Sequence, residues 1–231
     1  MNAPSAAYLE TKELIVLPAL ITLAVTAARL AGELLHGPKI LFNSEAGGLW
    51  AIVGIIWLAP IFGVYFALKL AAHGQGPQSG LRGMAAAGLA LFGMVLVVFF
   101  SHAASRMQVQ QSFRGRLIYI WVVVAAAALV TFPGWPALFR TLAAYAYAAR
   151  VPVAIITFFA FWQDWGTHYD ATPPDMPEGL GLLAKYLWLG FFPQLIFWVS
   201  LTILAGMFFG SLGFVFVRLV HHKDPIEQPS V

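Results

Sequence analysis

Leu182–Val220 reads LLAKYLWLGFFPQLIFWVSLTILAGMFFGSLGFVFVRLV, a run of 39 residues in which only Lys185 and Arg218 are charged. As one helix at 1.5 Å per residue it would extend about 58 Å. The hydrocarbon core of a bilayer is only about 30 Å thick. Such a stretch has no place on a water-exposed domain, so lipid is the expected solvent. Its excess length demands tilt, a break or an interfacial portion. Pro193 supplies no amide donor and crowds the preceding turn, which makes it the expected break. We therefore expect a short interfacial helix up to Phe192 and a span from about Gln194 to Leu219.

Composition points the same way. The 231 residues are 60% hydrophobic and 10% charged, against about 45–50% apolar and 25% charged in soluble domains. Mean hydropathy is +0.79. The absence of cysteine removes disulfide scaffolds and Cys-ligated metal centres. The net charge of +3 comes from a small excess of Lys and Arg with no run of four, so nucleic acid is not an expected partner. The N-terminal residues Glu10, Lys12 and Glu13 do not make a positive signal-peptide start.

Working back from the last stretch, five more spans are expected. They cover about Leu14–His36, Leu49–Ala72, Met84–His102, Leu117–Phe132 and Ala137–Trp162. Phe132-Pro-Gly-Trp-Pro136 is a reversal signal between the fourth and fifth. The fifth is read as one helix kinked at Pro152, although its first half is amphipathic. If it does not cross, five spans remain. The expected fold is thus an all-α bundle of six spans with proline-broken helices near Pro152 and Pro193. A tail over 1–13 precedes the single transmembrane domain, 14–220, and a disordered polar tail follows over 221–231. Lys and Arg divide equally between the two faces, so the positive-inside rule does not fix orientation. With six spans, both termini are placed in the cytoplasm, which leaves the acidic loop Asp164–Glu178 outside. The expected location is the bacterial inner membrane.

Ionisable groups inside a span are costly and each is a functional candidate. Arg29 and Glu33 are spaced i, i+4 and can pair on one face, with His36 three residues further on. They form either a neutralised pair at the membrane edge or part of a polar site. Arg150 precedes Val151-Pro152 near mid-span; it is either an interfacial anchor beside Tyr145 and Tyr147 or a seat for an anionic group, with Glu33 as a possible partner. If the fifth helix continues past Trp162, Asp164 and His168 share a face, and Asp170 can add a third ligand to a divalent metal. The competing reading is an aromatic helix end made by Trp162, Trp165 and Tyr169. Gly206, Gly210 and Gly213 form a small-residue stripe, suited either to packing within the bundle or to a homo-oligomer or membrane-complex contact.

In a six-span chain, the loops after spans one, three and five emerge on one side. Glu33, His36 and Glu45 therefore share a side with Asp164, His168 and Asp170, and a polar pocket is expected there with Arg150 beneath it. No nucleophile-elbow, phosphate-loop, dinucleotide or potassium-filter motif is present, and no cofactor is indicated. The leading expectation is transport or binding of a small or lipid-like ligand in a pocket lined by Arg29, Glu33, Arg150 and Gln194. A membrane-embedded enzyme or redox-complex subunit is the alternative, and a structural subunit the third.

Overall fold

The computed structural model describes residues 10–46, 52–106 and 112–221, except the side chains of 98, 100–106 and 221. The elements run in order: α1 (Thr11–Leu34), a 3₁₀ turn (Ile55–Trp57), α2 (Leu58–Ala72), α3 (Gly80–Arg106) and α4 (Phe113–Val130). A 3₁₀ turn (Phe132–Gly134) leads into α5 (Pro136–Gln163). Then come α6 (Leu182–Lys185), two π-helical segments (Tyr186–Phe191 and Pro193–Trp198) and α7 (Val199–His221). No strand occurs among the described residues. Six helices, the last one composite, are long and apolar enough to cross a membrane. The chain is a multi-pass membrane protein.

The fifth span settles the choice between five and six. α5 is continuous for 28 residues and holds Pro152 inside it. It starts where the sequence signals a reversal: Pro136 occupies its first turn, where a missing N–H costs nothing. Trp135 just before it is buried and its indole N–H donates to the Gln75 carbonyl at 2.8 Å. At the start of α4, the Ser112 hydroxyl accepts from the Gly115 amide and caps the helix.

Pro193 behaves differently from the expected break. The chain stays helical through it, and the winding widens on both sides into i→i+5 bonding. A wider turn relieves the conflict between the proline ring and the carbonyl one α-turn earlier. The first span likewise begins at Thr11, inside the expected tail. The expected disordered tail lies, beyond His221, outside the described residues, as does the start of the second span at Leu49.

α7 packs most closely on α2. A Cβ added to Gly63 would stand 2.6 Å from Gly206 Cα, and one added to Gly210 would stand 2.6 Å from the Gly63 carbonyl oxygen. Small residues here let two backbones touch, which in lipid is a principal source of helix association. Gly213 faces Val64 in the same seam. The glycine stripe is therefore engaged inside the bundle. Around it Phe66, Leu138, Leu142, Tyr145 and Met207 form the main core. On the outside, Leu17, Leu89, Phe92, Val122, Leu129 and Phe216 are all more than half exposed. A water-soluble monomer does not display apolar surface on this scale; a lipid-facing surface does.

Candidate functional site

Glu33 lies at the C-terminal end of α1, and its carboxylate is wholly buried. Arg29 Nε donates to Glu33 Oε1 at 2.8 Å, and Arg29 Nη2 donates to the Asn43 carbonyl at 3.1 Å. From the far end of the chain, the His168 backbone amide donates to Glu33 Oε2 at 2.8 Å. The His168 ring Nδ1 lies 2.6 Å from Oε1 and 2.8 Å from Oε2. A carboxylate only accepts, so Nδ1 carries the hydrogen and Nε2 is left as an acceptor. Burial pushes the His168 pKa below its ordinary 6.5, and the Arg29 charge adds to this against the opposite pull of Glu33. The ring is thus neutral at pH 7.

The loop after α5 is shaped to deliver His168. α5 ends at Gln163, and Asp164 turns left-handed with φ 52°. Gly166 follows with φ 68°, a conformation glycine adopts without strain. Asp170 then braces the turn: its Oδ2 accepts from the Gly166 amide, and its Oδ1 from the amide and hydroxyl of Thr167, at 2.7–2.8 Å. The expected shared helix face of Asp164 and His168 therefore does not form, because the helix stops before it. Asp170 braces its own loop, and His168 turns to Glu33. Among the described residues no group of three His, Asp or Glu side chains is arranged to hold a metal. Further along the loop, Asp175 pairs with Arg116 at the start of α4. The loops after the first, third and fifth spans thus meet on one side, as alternation requires.

Arg150 is the second buried arginine. It stands near the middle of α5, about 20 Å from either end at helical rise. Its Nη1 donates to Gln194 Oε1 at 3.4 Å, and its guanidinium lies 4.9 Å from the centre of the Trp198 ring. The pairing with Glu33 considered from sequence does not occur; Arg29 and His168 hold that carboxylate. Among the described residues, no carboxylate lies within ion-pair distance of Arg150.

Arg29, His168, Arg150 and Gln194 all line one cavity of about 430 Å³, within the usual range for small-molecule sites. Its walls come from α1, α4, α5 and the π-helical segments, and Ala46, Ala171 and Pro173 line it on the loop side. Thr26, Thr157 and Tyr169 add polar groups; Trp121, Trp188, Phe197 and Trp198 add aromatic surface. Thr157 Oγ1 is buried and has no hydrogen-bond partner among the described residues. Burial holds the Tyr169 phenol well above its ordinary pKa, with the Arg29 and Arg150 charges pulling the other way, so it is a protonated donor. His36 adopts a left-handed conformation just beyond α1 and is exposed. It takes no part.

Three of the four expected ligand residues line this cavity directly, and Glu33 supports it from behind. The tryptophan and tyrosine walls escaped the sequence reading. The π-helical winding explains why: Trp188, Pro193 and Trp198 are five apart, as are Leu189 and Gln194, and all face the cavity. A search at ordinary α-helical spacing scatters them. No family model matches the chain, and comparison with curated proteins and with solved structures found no match either.

Proposed function

We propose that this protein binds a small ligand within the membrane, in the cavity between α1, α4, α5 and the sixth span, for transport or delivery across or along the bilayer. One observation carries the reading. Two arginines, a histidine, a glutamine and a threonine without a hydrogen-bond partner among the described residues converge on a cavity of about 430 Å³ inside a mostly apolar bundle. Polar groups at depth cost free energy unless something uses them, and wide helical turns of this kind recur at functional sites. Helical spans rather than a β-barrel favour an inner membrane as its location. The test is to fill the cavity. Wild-type protein purified from membranes is expected to carry a small molecule detectable by native mass spectrometry. Ala171→Trp, on the loop that lines the cavity, is expected to lose it while keeping the fold. The same bound species on both proteins would contradict the reading.

A second reading is favoured by the Glu33–His168 pair alone. A carboxylate that fixes Nδ1–H and leaves Nε2 on a neutral ring is the orienter-and-base arrangement of many hydrolytic sites. In that case the ligand is a substrate, and His168→Gln abolishes its turnover while leaving its binding intact. Binding without turnover in the wild type removes this second reading.

A further inference from the structure

Among the described residues one buried cation of the cavity, Arg150, has no carboxylate within ion-pair distance, and that points to a ligand class. Arg29 is neutralised by Glu33 at 2.8 Å. His168 is held by the same carboxylate. Arg150 is only 7% exposed and faces a neutral amide and an indole ring. A guanidinium has five N–H donors; among the described residues one of them is engaged, through a contact at the long end of the hydrogen-bond range. A buried charge without a counterion is costly, and the cation–π contact with Trp198 offsets only part of that. Gln194 and Trp198 hold the group in place, and no carboxylate among the described residues pairs with it.

We propose that the cavity receives an amphiphilic monoanion. Its carboxylate or phosphodiester head pairs with Arg150 in place of the Gln194 carbonyl oxygen, and its apolar body lies against Trp121, Trp188 and Leu117. Planar guanidinium donors suit such heads in a two-point grip. The inference rests on the cavity being a ligand site, as argued above, and adds the sign of the charge.

The probes are terminally brominated decanoate, the matching alcohol and the matching trimethylammonium, each titrated into protein in phosphatidylcholine nanodiscs. The readout is saturable quenching of the cavity tryptophans, distinct from non-saturable partitioning into lipid. In the wild type the carboxylate is expected to bind about tenfold or more tightly than the alcohol, and the ammonium least. Arg150→Gln should erase the preference for the carboxylate. Gln194→Glu supplies an internal counterion, so it should cut the preference for the carboxylate over the alcohol about tenfold or more; this variant keeps Arg150 and its packing. Chain-brominated phosphatidylglycerol in the nanodisc separates the two sources of the head group. Saturable quenching by it, competed away by decanoate, assigns a membrane lipid; quenching by decanoate alone assigns a free amphiphile. Equal affinity of acid and alcohol, or a preference that survives Arg150→Gln, overturns the charge proposal and leaves the cavity reading standing. No saturable quenching by any probe overturns both.

Discussion

The α2–α7 seam and the cavity between α1, α4, α5 and the sixth span are built from opposite materials. At the seam, Gly63, Gly206 and Gly210 bring backbones into contact and leave no space. At the cavity, π-helical turns and tryptophans hold the helices apart around two arginines. The final span serves both: its first half lines the cavity and its second half forms the seam. The contrast shows how a bundle of similar apolar helices is made rigid in one place and receptive in another. Side-chain size decides the first and backbone winding the second.

This contrast can be broken at several points, starting with the largest effect. Glu33→Ala removes the buried carboxylate to which Arg29, the His168 ring and the His168 amide all donate. The expected loss is about 3–5 kcal/mol, as for other broken buried pairs, read by thermal unfolding in nanodiscs. A loss below 1 kcal/mol would mean that the triad does not tie the loop to α1. Next comes the seam. Gly63→Ala drives a methyl against the Gly206 backbone at 2.6 Å and is expected to cost about 1–3 kcal/mol. Gly93→Ala meets nothing within 4 Å and, in mid-helix, should be neutral or slightly stabilising. Equal effects from the two would deny the seam its role.

The third effect depends on pH. Burial lowers the His168 pKa below 6.5, so the unfolded chain binds the proton more readily than the folded one. Its contribution is complete above that value and declines as pH falls through 6.5 towards the folded pKa. His168→Asn should flatten this part of the stability profile; an unchanged profile would assign the dependence elsewhere. The smallest effect belongs to the exposed end of the same loop. Asp175→Asn removes the half-exposed partner of Arg116 and should change stability by about 0–1 kcal/mol. A larger change would make the loop's outer anchor as important as its buried one.

Much of the fold was legible in the sequence. Long apolar runs gave six spans, and Phe132-Pro-Gly-Trp-Pro136 marked a reversal that the structure keeps. The i, i+4 spacing of Arg29 and Glu33 revealed a pair that exists. Alternation of loops put Glu33 and His168 on one side, and they bond directly. The rest escaped because it depends on quantities a linear pattern does not carry. Asp164 and His168 looked like neighbours on a helix that in fact ends one residue before Asp164. Pro193 looked like an interruption, yet the chain passes through it by widening its turn. That widening sets the aromatic walls of the cavity, so they stayed hidden until the winding was known.

The cavity is a water-reachable, ligand-sized space only if it admits what the closed seam excludes. The chain contains no cysteine, so single introduced thiols report cleanly on both places. Phe197→Cys on the cavity wall should react with a small, charged thiol reagent applied from the side of the 164–181 loop, and bound ligand should slow it. Met207→Cys, fully buried in the core at the seam, should remain unmodified under the same conditions. Equal labelling of the two sites, or a Phe197→Cys that never reacts, would contradict a ligand-sized cavity beside a closed seam.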